Sequence, residues 1–468
     1  MSETIAGSGT RQVPEFRDPD GVVAAPYLAA VQEALAVKDK ARLLELAGDV
    51  HEADLGALLV ALDAETRQQL IALLGADFDY TALTQVDDSL REEMLDALSA
   101  EAVARGVRDL DSDDAVYLLK DLSPQEQKDV LRHVPSVERA PLERGLRYPA
   151  ESAGRLMQTE FIAVPPDWNV GDVIDHLRED SGLPDTFYEL YVVEPDGRLI
   201  GSVRLDRLLR SLRPVRIVDV LVEDPQIVRA QEDQESAARR FERYDLVSAP
   251  VVDEADRLVG VLTADDVLDV IEEEAEEDLR ALAGVGRTED LSDTVMETAR
   301  LRLPWLVLNL ATAFIAASVI AFYEATIEAV VAVAILMPVN AALGGNSGTQ
   351  ALAVAVRALA TEELNRSNMV RIILREAMVG VVNGAVLAVL AGAAAGWAFG
   401  SVTIGAVLSS AMVITVIFGT TVGILVPILV SRARIDPALA SGVFVLTVAD
   451  VFGFFIFLAF ATYAFGIA

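Results

Sequence analysis

Residues 441–455 read SGVFVLTVADVFGFF, an apolar run with a single acid, Asp450, and no basic residue. The run lies within segment 437–465, and a helix needs about 20 residues to cross about 30 Å of hydrocarbon. Four more apolar segments of sufficient length precede it, at 303–323, 329–355, 377–399 and 404–430. Residues 303–468 are therefore predicted to form a membrane domain of five helices.

The arginines predict the orientation of this domain. They precede the first span (Arg300, Arg302) and lie between the second and third (357–375) and between the fourth and fifth (432–434), whereas the other two loops contain no basic residue. Basic loops stay in the cytoplasm. The N-terminal region is thus expected inside the cell and the C-terminus outside, in the inner membrane. Residues 1–16 agree, because they contain no secretory signal.

Charge separates the two parts of the chain. The formal net charge is −34, yet residues 303–468 contain seven acids, six arginines and no lysine, so residues 1–302 account for nearly all of it. Such an acidic region disfavours nucleic acid and anionic lipid as partners and favours cations. Cysteine is absent and the three histidines are far apart, so neither thiolate nor imidazole metal sites are expected.

The acidic region itself changes texture along its length. Residues 25–148 have leucine and alanine at helical spacing, which predicts an all-α acidic domain. Beyond residue 151, strand-like and helical segments alternate, and YVVEPDGRLIGSVRLDRLL from Tyr191 aligns with PVVDEADRLVGVLTADDVL from Pro250. Two copies of one α/β unit are predicted, at 151–213 and 214–275. The pair resembles a tandem of CBS domains, which implies a regulatory role and possible nucleotide binding.

An acidic run, IEEEAEEDLRAL, follows the second copy and leads toward the first span. Residues 276–302 are predicted to form a connecting helix. Acids spaced three or four residues apart share a helix face and repel one another. A divalent cation bridging that face to another acidic surface would relieve the repulsion, which makes this stretch a candidate sensor. An unliganded, solvated acidic helix is the alternative.

Asp450 is the candidate ion site. A carboxylate at mid-span costs about 2.5–3.5 kcal/mol on insertion scales and is usually functional. In a homodimer, two copies facing each other across a twofold axis would present a charge of about −2. Mg²⁺ gives up water reluctantly and is typically held by one or two carboxylates, so it suits this arrangement. Mn²⁺ and Co²⁺ would fit almost as well on charge alone.

The second span contains MPVNAALGGNSGTQALAVAVRALA, residues 337–360. Its glycines and polar residues predict irregular backbone that lines a pore, because such backbone is tolerated at this depth only beside protein or water. Helix packing alone is the alternative reading of the glycines. The predicted pore-lining residues are Gly344, Gly345, Asn346, Gly348 and Thr349.

Domain order and the motifs GGNSGTQ…RALA and DPALASGVFVLTVADVFG resemble the MgtE family of magnesium channels over nearly the whole chain. The resemblance implies that Asp450 binds the permeating ion and that Mg²⁺ is the substrate. It also implies that the connecting helix plugs the pore when cytoplasmic Mg²⁺ is high. Two departures, Val443 and Thr349, could alter pore shape. The implied regulatory ligands are Asp113, Asp114, Asp266, Asp269, Glu274, Glu277, Asp278 and Asp436, with Asp111 and Asp293 nearby.

Other functions fit the sequence less well. An aspartyl protease of the membrane needs two opposed intramembrane aspartates in one chain, and Asp450 is the only deep one. An ATP-driven pump is disfavoured because no GxxxxGK[ST] phosphate loop is present. The chain is therefore not expected to be an enzyme. A channel for another divalent ion, or a membrane sensor that transports nothing, remains possible from sequence alone.

Overall fold

The structure is a computed structural model that describes residues 13–184, 186–283, 285, 294–361, 363–364, 367–433 and 437–467. The chain divides into two compact units, Met1–Ile271 and Glu272–Ala468. The predicted fold class is confirmed: a helical N-terminal part, a tandem of α/β units and five apolar helices of membrane-spanning length follow one another in the described residues.

Short, capped helices form the N-terminal part. Polar N-cap residues begin most of these helices, as where Ser123 and Glu126 form a capping box at the start of α8. Leucines facing inward, such as Leu43, Leu58 and Leu70, are fully buried in one core. The helices are α1 (Ala25–Ala36), α2 (Lys40–Ala47), α3 (Glu52–Ala61), α4 (Ala64–Leu74), α5 (Asp88–Asp96), α6 (Ala100–Arg108), α7 (Ser112–Lys120), α8 (Pro124–Leu131) and α9 (Ser136–Gly145).

Two similar α/β units follow α10 (Ala153–Leu156). In each, a short strand pairs in parallel with the first strand of an antiparallel hairpin. The first unit contains β1 (Ala163–Val164), α11 (Val170–Glu179), β2 (Glu189–Val193), β3 (Leu199–Arg204) and α12 (Leu205–Arg210). The second contains β4 (Val228–Arg229), α13 (Gln234–Tyr244), β5 (Ser248–Val252), β6 (Leu258–Thr263) and α14 (Ala264–Leu282).

The repeat seen in the sequence is a local twofold symmetry in the structure. The amide of Leu199 donates to the carbonyl of Asp256 at 3.1 Å, and the equivalent amide of Leu258 donates to that of Gly197 at 3.0 Å. Each hairpin also has an irregularity at the same place in its first strand, after Val192 and after Val251. The two copies therefore pair turn to turn through matching backbone atoms.

Six helices make up most of the second unit: α15 (Val295–Phe322), α16 (Glu324–Ala329), α17 (Val331–Ala360), α18 (Met369–Ala398), α19 (Val402–Arg432) and α20 (Pro437–Phe465). Of these, α19 is the central one and packs against α17, α18 and α20. Helices α15 and α18 begin eight residues before the predicted spans, because arginine and glutamate are good helix formers and extend the helix beyond the apolar stretch. Of the predicted connecting helix 276–302, residues 276–282 thus belong to α14 and residues 295–302 to α15, whereas 284 and 286–293 lie outside the described residues.

Candidate functional site

The Asp450 side chain lies half-buried near the middle of α20, against α17. A Cβ atom added at Gly345 would lie 3.6 Å from Asp450 Oδ1 and 3.0 Å from Leu446 Cδ1. Gly345 therefore leaves room for the carboxylate beside the helix backbone. Two residues beyond Asp450, Phe452 stacks on Phe418 of α19 with ring centroids 3.7 Å apart. The position of the carboxylate is thus supported by both neighbouring helices.

The glycines of α17 allow its backbone to touch that of α19. A Cβ atom added at Gly419 would lie 2.3 Å from the Gly344 carbonyl oxygen, and one at Gly423 would lie 2.3 Å from that of Gly348. Neither distance leaves space for a side chain. Gly344 and Gly348 therefore serve close helix packing in this unit, and a contact of these two residues with an ion stays a prediction.

Polar side chains of the same motif lie on another face of α17. Asn346 and Thr349 are exposed in the single chain, and the Thr349 hydroxyl donates to the Gly345 carbonyl at 3.0 Å. Three residues apart on a helix, they are neighbours on one surface. This surface is accessible in one chain, as are Gln350 of the same motif and, in part, Asp450 on α20.

The expectation of irregular backbone in the second span is wrong. Helix α17 is continuous from Val331 to Ala360, with Pro338 inside it. Glycine weakens an isolated helix, but tight packing of small residues against a neighbouring helix compensates for this in a membrane protein. The glycines of α17 therefore form a packing surface. An unwound segment would use the same residue types, so the sequence pattern did not distinguish the two structures.

In the compact unit Met1–Ile271, the predicted acids Asp113 and Asp114 lie in the first turn of α7 and face the start of α14. Burial and the neighbouring carboxylates of Asp266 and Asp114 raise the pKa of Asp113 well above its usual value. Burial, followed by the charges of Asp111, Asp265 and other acids, raises the pKa of Asp114 to about 6. The structure therefore brings together acids separated by some 150 residues of sequence.

Asp266 is the corresponding acid on α14. Burial raises the pKa of its carboxyl to about 7, although a hydrogen bond from the Thr263 hydroxyl at 2.5 Å acts in the opposite direction. Asp265, Asp114 and Asp269 contribute repulsion. We call Asp111, Asp113, Asp114, Asp265, Asp266 and Asp269 the acidic cluster.

A polar anchor that the sequence pattern did not indicate ties the start of α7 to Thr159 and Glu160, just before β1. The Ser112 hydroxyl donates to Glu160 Oε2 at 2.7 Å, and the Thr159 amide donates to the Ser112 oxygen at 2.7 Å. Ser112 is buried, and its backbone amide also donates to Glu160 at 3.2 Å. A serine beside three aspartates reads as an ordinary helix start in sequence, so nothing indicated this longer-range contact.

The remaining predicted regulatory acids are placed as follows. Glu274, Glu277 and Asp278 lie on α14 within the second unit. Asp293 and Asp436 lie outside the described residues. In the part of the chain that the structure describes, no group of three or more histidine, cysteine or acidic side chains has a geometry that could hold a metal ion.

Comparison with known proteins gives the class. Residues 337–460 match the family MgtE, described as a divalent cation transporter, residues 50–151 match the MgtE intracellular N domain, and residues 153–214 and 217–273 match the CBS domain. Together with five helices of membrane-spanning length, these matches define a membrane transporter of divalent cations with a soluble CBS tandem.

Two relatives cover most of the chain. The magnesium transporter MgtE of Thermus thermophilus is 34 % identical over 456 residues, which are 92 % of this chain and 97 % of that protein. That of Bacillus subtilis is 30 % identical over 409 residues, or 87 % and 91 % of the two chains. This chain belongs to the MgtE family, as its motifs led us to expect.

A solved structure of the cytosolic domain of the Mg²⁺ channel MgtE in complex with ATP is 32 % identical. The alignment covers 52 % of this chain and 99 % of the solved chain, with a TM-score of 0.48.

Proposed function

We propose that this chain is a Mg²⁺-selective channel for passive Mg²⁺ uptake, and that Asp450 binds the permeating ion. Membership of the MgtE family supports the transport of a divalent cation. The observation that carries the site is a partly exposed carboxylate at the middle of an apolar helix, with Gly345 leaving it space. A charge at this depth is energetically costly, so its presence here indicates a function.

The pore lies between two copies of the chain in this proposal. A homodimer brings two Asp450 carboxylates to the axis, and the exposed faces with Asn346 and Thr349 line the approach to them. Mg²⁺ gives up its waters reluctantly, so two such carboxylates suit a hydrated Mg²⁺ ion. The soluble units lie in the cytoplasm and the C-terminus outside, across the inner membrane, which agrees with the arginine distribution.

The membrane potential drives uptake. Moving one charge through 100 mV is worth about 2.3 kcal/mol, so a divalent ion gains about 4.6 kcal/mol, which corresponds to an accumulation of about a thousandfold. No ATP hydrolysis is required, and the chain acts as a channel and not as an enzyme. A gate is required, because an open pore would load the cell with Mg²⁺.

The acidic cluster provides the gate with a sensor. Mg²⁺ bound between Asp113 and Asp114 on α7 and Asp266 and Asp269 on α14 relieves the repulsion among these acids. Glu274, Glu277, Asp278 and Asp436 are the further proposed ligands. Ala281, near the end of α14, packs in the second unit against Leu352, Val422 and Val445 of the membrane helices. One helix thus carries sensor acids and contacts with the pore helices.

Mg²⁺ therefore acts as cargo at Asp450 and as a regulator at the acidic cluster. At high cytoplasmic Mg²⁺ the bridged cluster holds α14 in place and the channel is closed. At low Mg²⁺ the repulsion returns and the pore opens. A nucleotide bound at the CBS tandem would be a second regulatory input.

The test is Mg²⁺ uptake into liposomes by the wild type and by Asp450→Asn, with Mn²⁺, Co²⁺ and Ca²⁺ as competitors. The expected result is uptake selective for Mg²⁺ and abolished in Asp450→Asn, because the amide keeps the shape and removes the charge. Glu376→Gln on α18 is the matched control and should conduct normally. Uptake of Mn²⁺ or Co²⁺ in preference would change the substrate, and no flux of any ion would favour a sensor that transports nothing.

A further inference from the structure

Asn340 connects three membrane helices one turn away from the level of Asp450. It is fully buried on α17, and its Nδ2 donates to the Thr415 hydroxyl of α19 at 3.0 Å and to the Gly453 carbonyl of α20 at 2.9 Å. A carbonyl oxygen only accepts hydrogen bonds, so the amide nitrogen must face Gly453. The orientation of the side chain is therefore fixed by chemistry.

The helices meet closely at this point. A Cβ atom added at Gly453 would lie 3.2 Å from the Ala341 Cα and 3.3 Å from the Thr415 Cγ2. Gly453 follows Asp450 by three residues, which is an axial distance of about 4.5 Å on a helix. The contact between Asn340 and Gly453 is thus adjacent to the carboxylate along the same helix.

Stability alone does not explain an asparagine here. Asn340 Oδ1 is buried and has no hydrogen-bond partner among the residues that the structure describes. An unpaired buried acceptor destabilises the folded state, whereas an apolar side chain at this position would leave no such group. A single buried asparagine that lowers stability is known to fix the register of packed helices.

Register matters for Asp450 because its carboxylate must point past Gly345. Successive residues of a helix differ by about 100° in direction. A rotation of α20 relative to α17 would therefore turn the carboxylate away from the path of the ion. The bond to the Gly453 backbone opposes such a rotation, since it ties the α20 main chain and not a flexible side chain.

We propose that Asn340 is a positioning residue that fixes the rotation of α20 and thereby the place of the Asp450 carboxylate in the ion path. The inference rests on the proposed role of Asp450. It assigns ion selectivity partly to a side chain that does not touch the ion.

The experiment measures Mg²⁺ and Co²⁺ uptake into liposomes per folded protein, for full-length wild type, Asn340→Leu and Thr415→Val. Asn340→Leu keeps the number of side-chain heavy atoms and removes both hydrogen bonds. It should lower maximal Mg²⁺ flux about thirtyfold and reduce the preference for Mg²⁺ over Co²⁺, since each of the two bonds is worth about 1 kcal/mol. Thr415→Val removes one bond, so its flux should fall about fivefold on the same grounds.

Thr421→Val is the matched control. Its hydroxyl donates within α19 itself, to the Ile417 carbonyl at 2.7 Å, so the variant should keep wild-type flux and preference. Lower flux in Asn340→Leu with an unchanged ion preference would reduce Asn340 to a structural role and overturn the inference. Wild-type behaviour of a folded Asn340→Leu would do the same. If Asn340→Leu does not fold, Thr415→Val against Thr421→Val decides.

A wild-type protein that carries no Mg²⁺ overturns the proposed function together with this inference. Conduction by the wild type and equal conduction by Asn340→Leu overturns the inference alone.

Discussion

Replacing Asp114 by asparagine should stabilise the soluble part of the chain at alkaline pH. The pKa of this carboxyl is raised from 3.8 to about 6 by burial and by neighbouring acids. The folded state therefore binds the proton more tightly than the unfolded state, and stability falls as pH rises through the window from about 4 to 6. Above that window the full cost of the charge is present in the wild type and absent in Asp114→Asn.

The size of the effect follows from the shift. Each pKa unit corresponds to about 1.36 kcal/mol, so a shift of about two units gives about 3 kcal/mol as an upper limit. Asp114 remains partly exposed, and screening by water reduces the expected gain to about 1–2 kcal/mol. For a region of about 250 residues this corresponds to a rise in Tm of about 3–6 °C.

The assay is thermal unfolding of the full-length protein in detergent at pH 8 and pH 4, with and without Mg²⁺. Asp114→Asn should unfold at a higher temperature than wild type at pH 8 and at nearly the same temperature at pH 4. Mg²⁺ at one hundred times its Kd stabilises a site by about 2.7 kcal/mol. It should therefore stabilise the wild type at pH 8, and Asp114→Asn less.

The control is Asp224→Asn, the same substitution at an exposed position outside the acidic cluster. It should leave the pH and Mg²⁺ dependence of Tm as in the wild type. The reasoning is refuted if Asp114→Asn is less stable than wild type at pH 8. A wild-type Tm that does not respond to Mg²⁺ would show that the cluster binds no regulatory ion.

Two further substitutions test the packing that supports the sites. Gly419→Ala should destabilise the membrane unit by several kcal/mol, because its methyl group would meet the Gly344 carbonyl at 2.3 Å. Gly396→Ala is the control, because a methyl group there would have no contact closer than 3.7 Å. Equal melting temperatures of the two variants in detergent would contradict the packing argument. Arg91→Met should cost about 3–5 kcal/mol, because the fully buried guanidinium pairs with Asp121 at 2.5 Å and its loss leaves that carboxylate unpaired. Circular dichroism melts measure this loss, and Arg91→Met combined with Asp121→Leu should recover part of it; no recovery would point to a lost packing contact instead.

Much of the architecture could be predicted because it depends on local composition. Apolar length determined the five spans, since any helix of that length and hydropathy is driven into hydrocarbon. The repeat from Tyr191 and Pro250 predicted two equal units, and the structure aligns their hairpins residue for residue. Asp450 could be singled out for the same reason, because a lone acid in an apolar span is visible without any tertiary contact.

The structure decided the features that depend on which residues meet. Periodicity cannot show that Asp114 faces α14, because the acids come from distant segments and their pKa values rise only when folding brings them together. Nor can it show whether the glycines of α17 line a pore or admit another backbone, since both uses need the same small residues. Asn340 appeared in the sequence as one more polar residue near a glycine motif. Only the approach of α19 and α20 gives its amide two acceptors, and hence a part in placing Asp450.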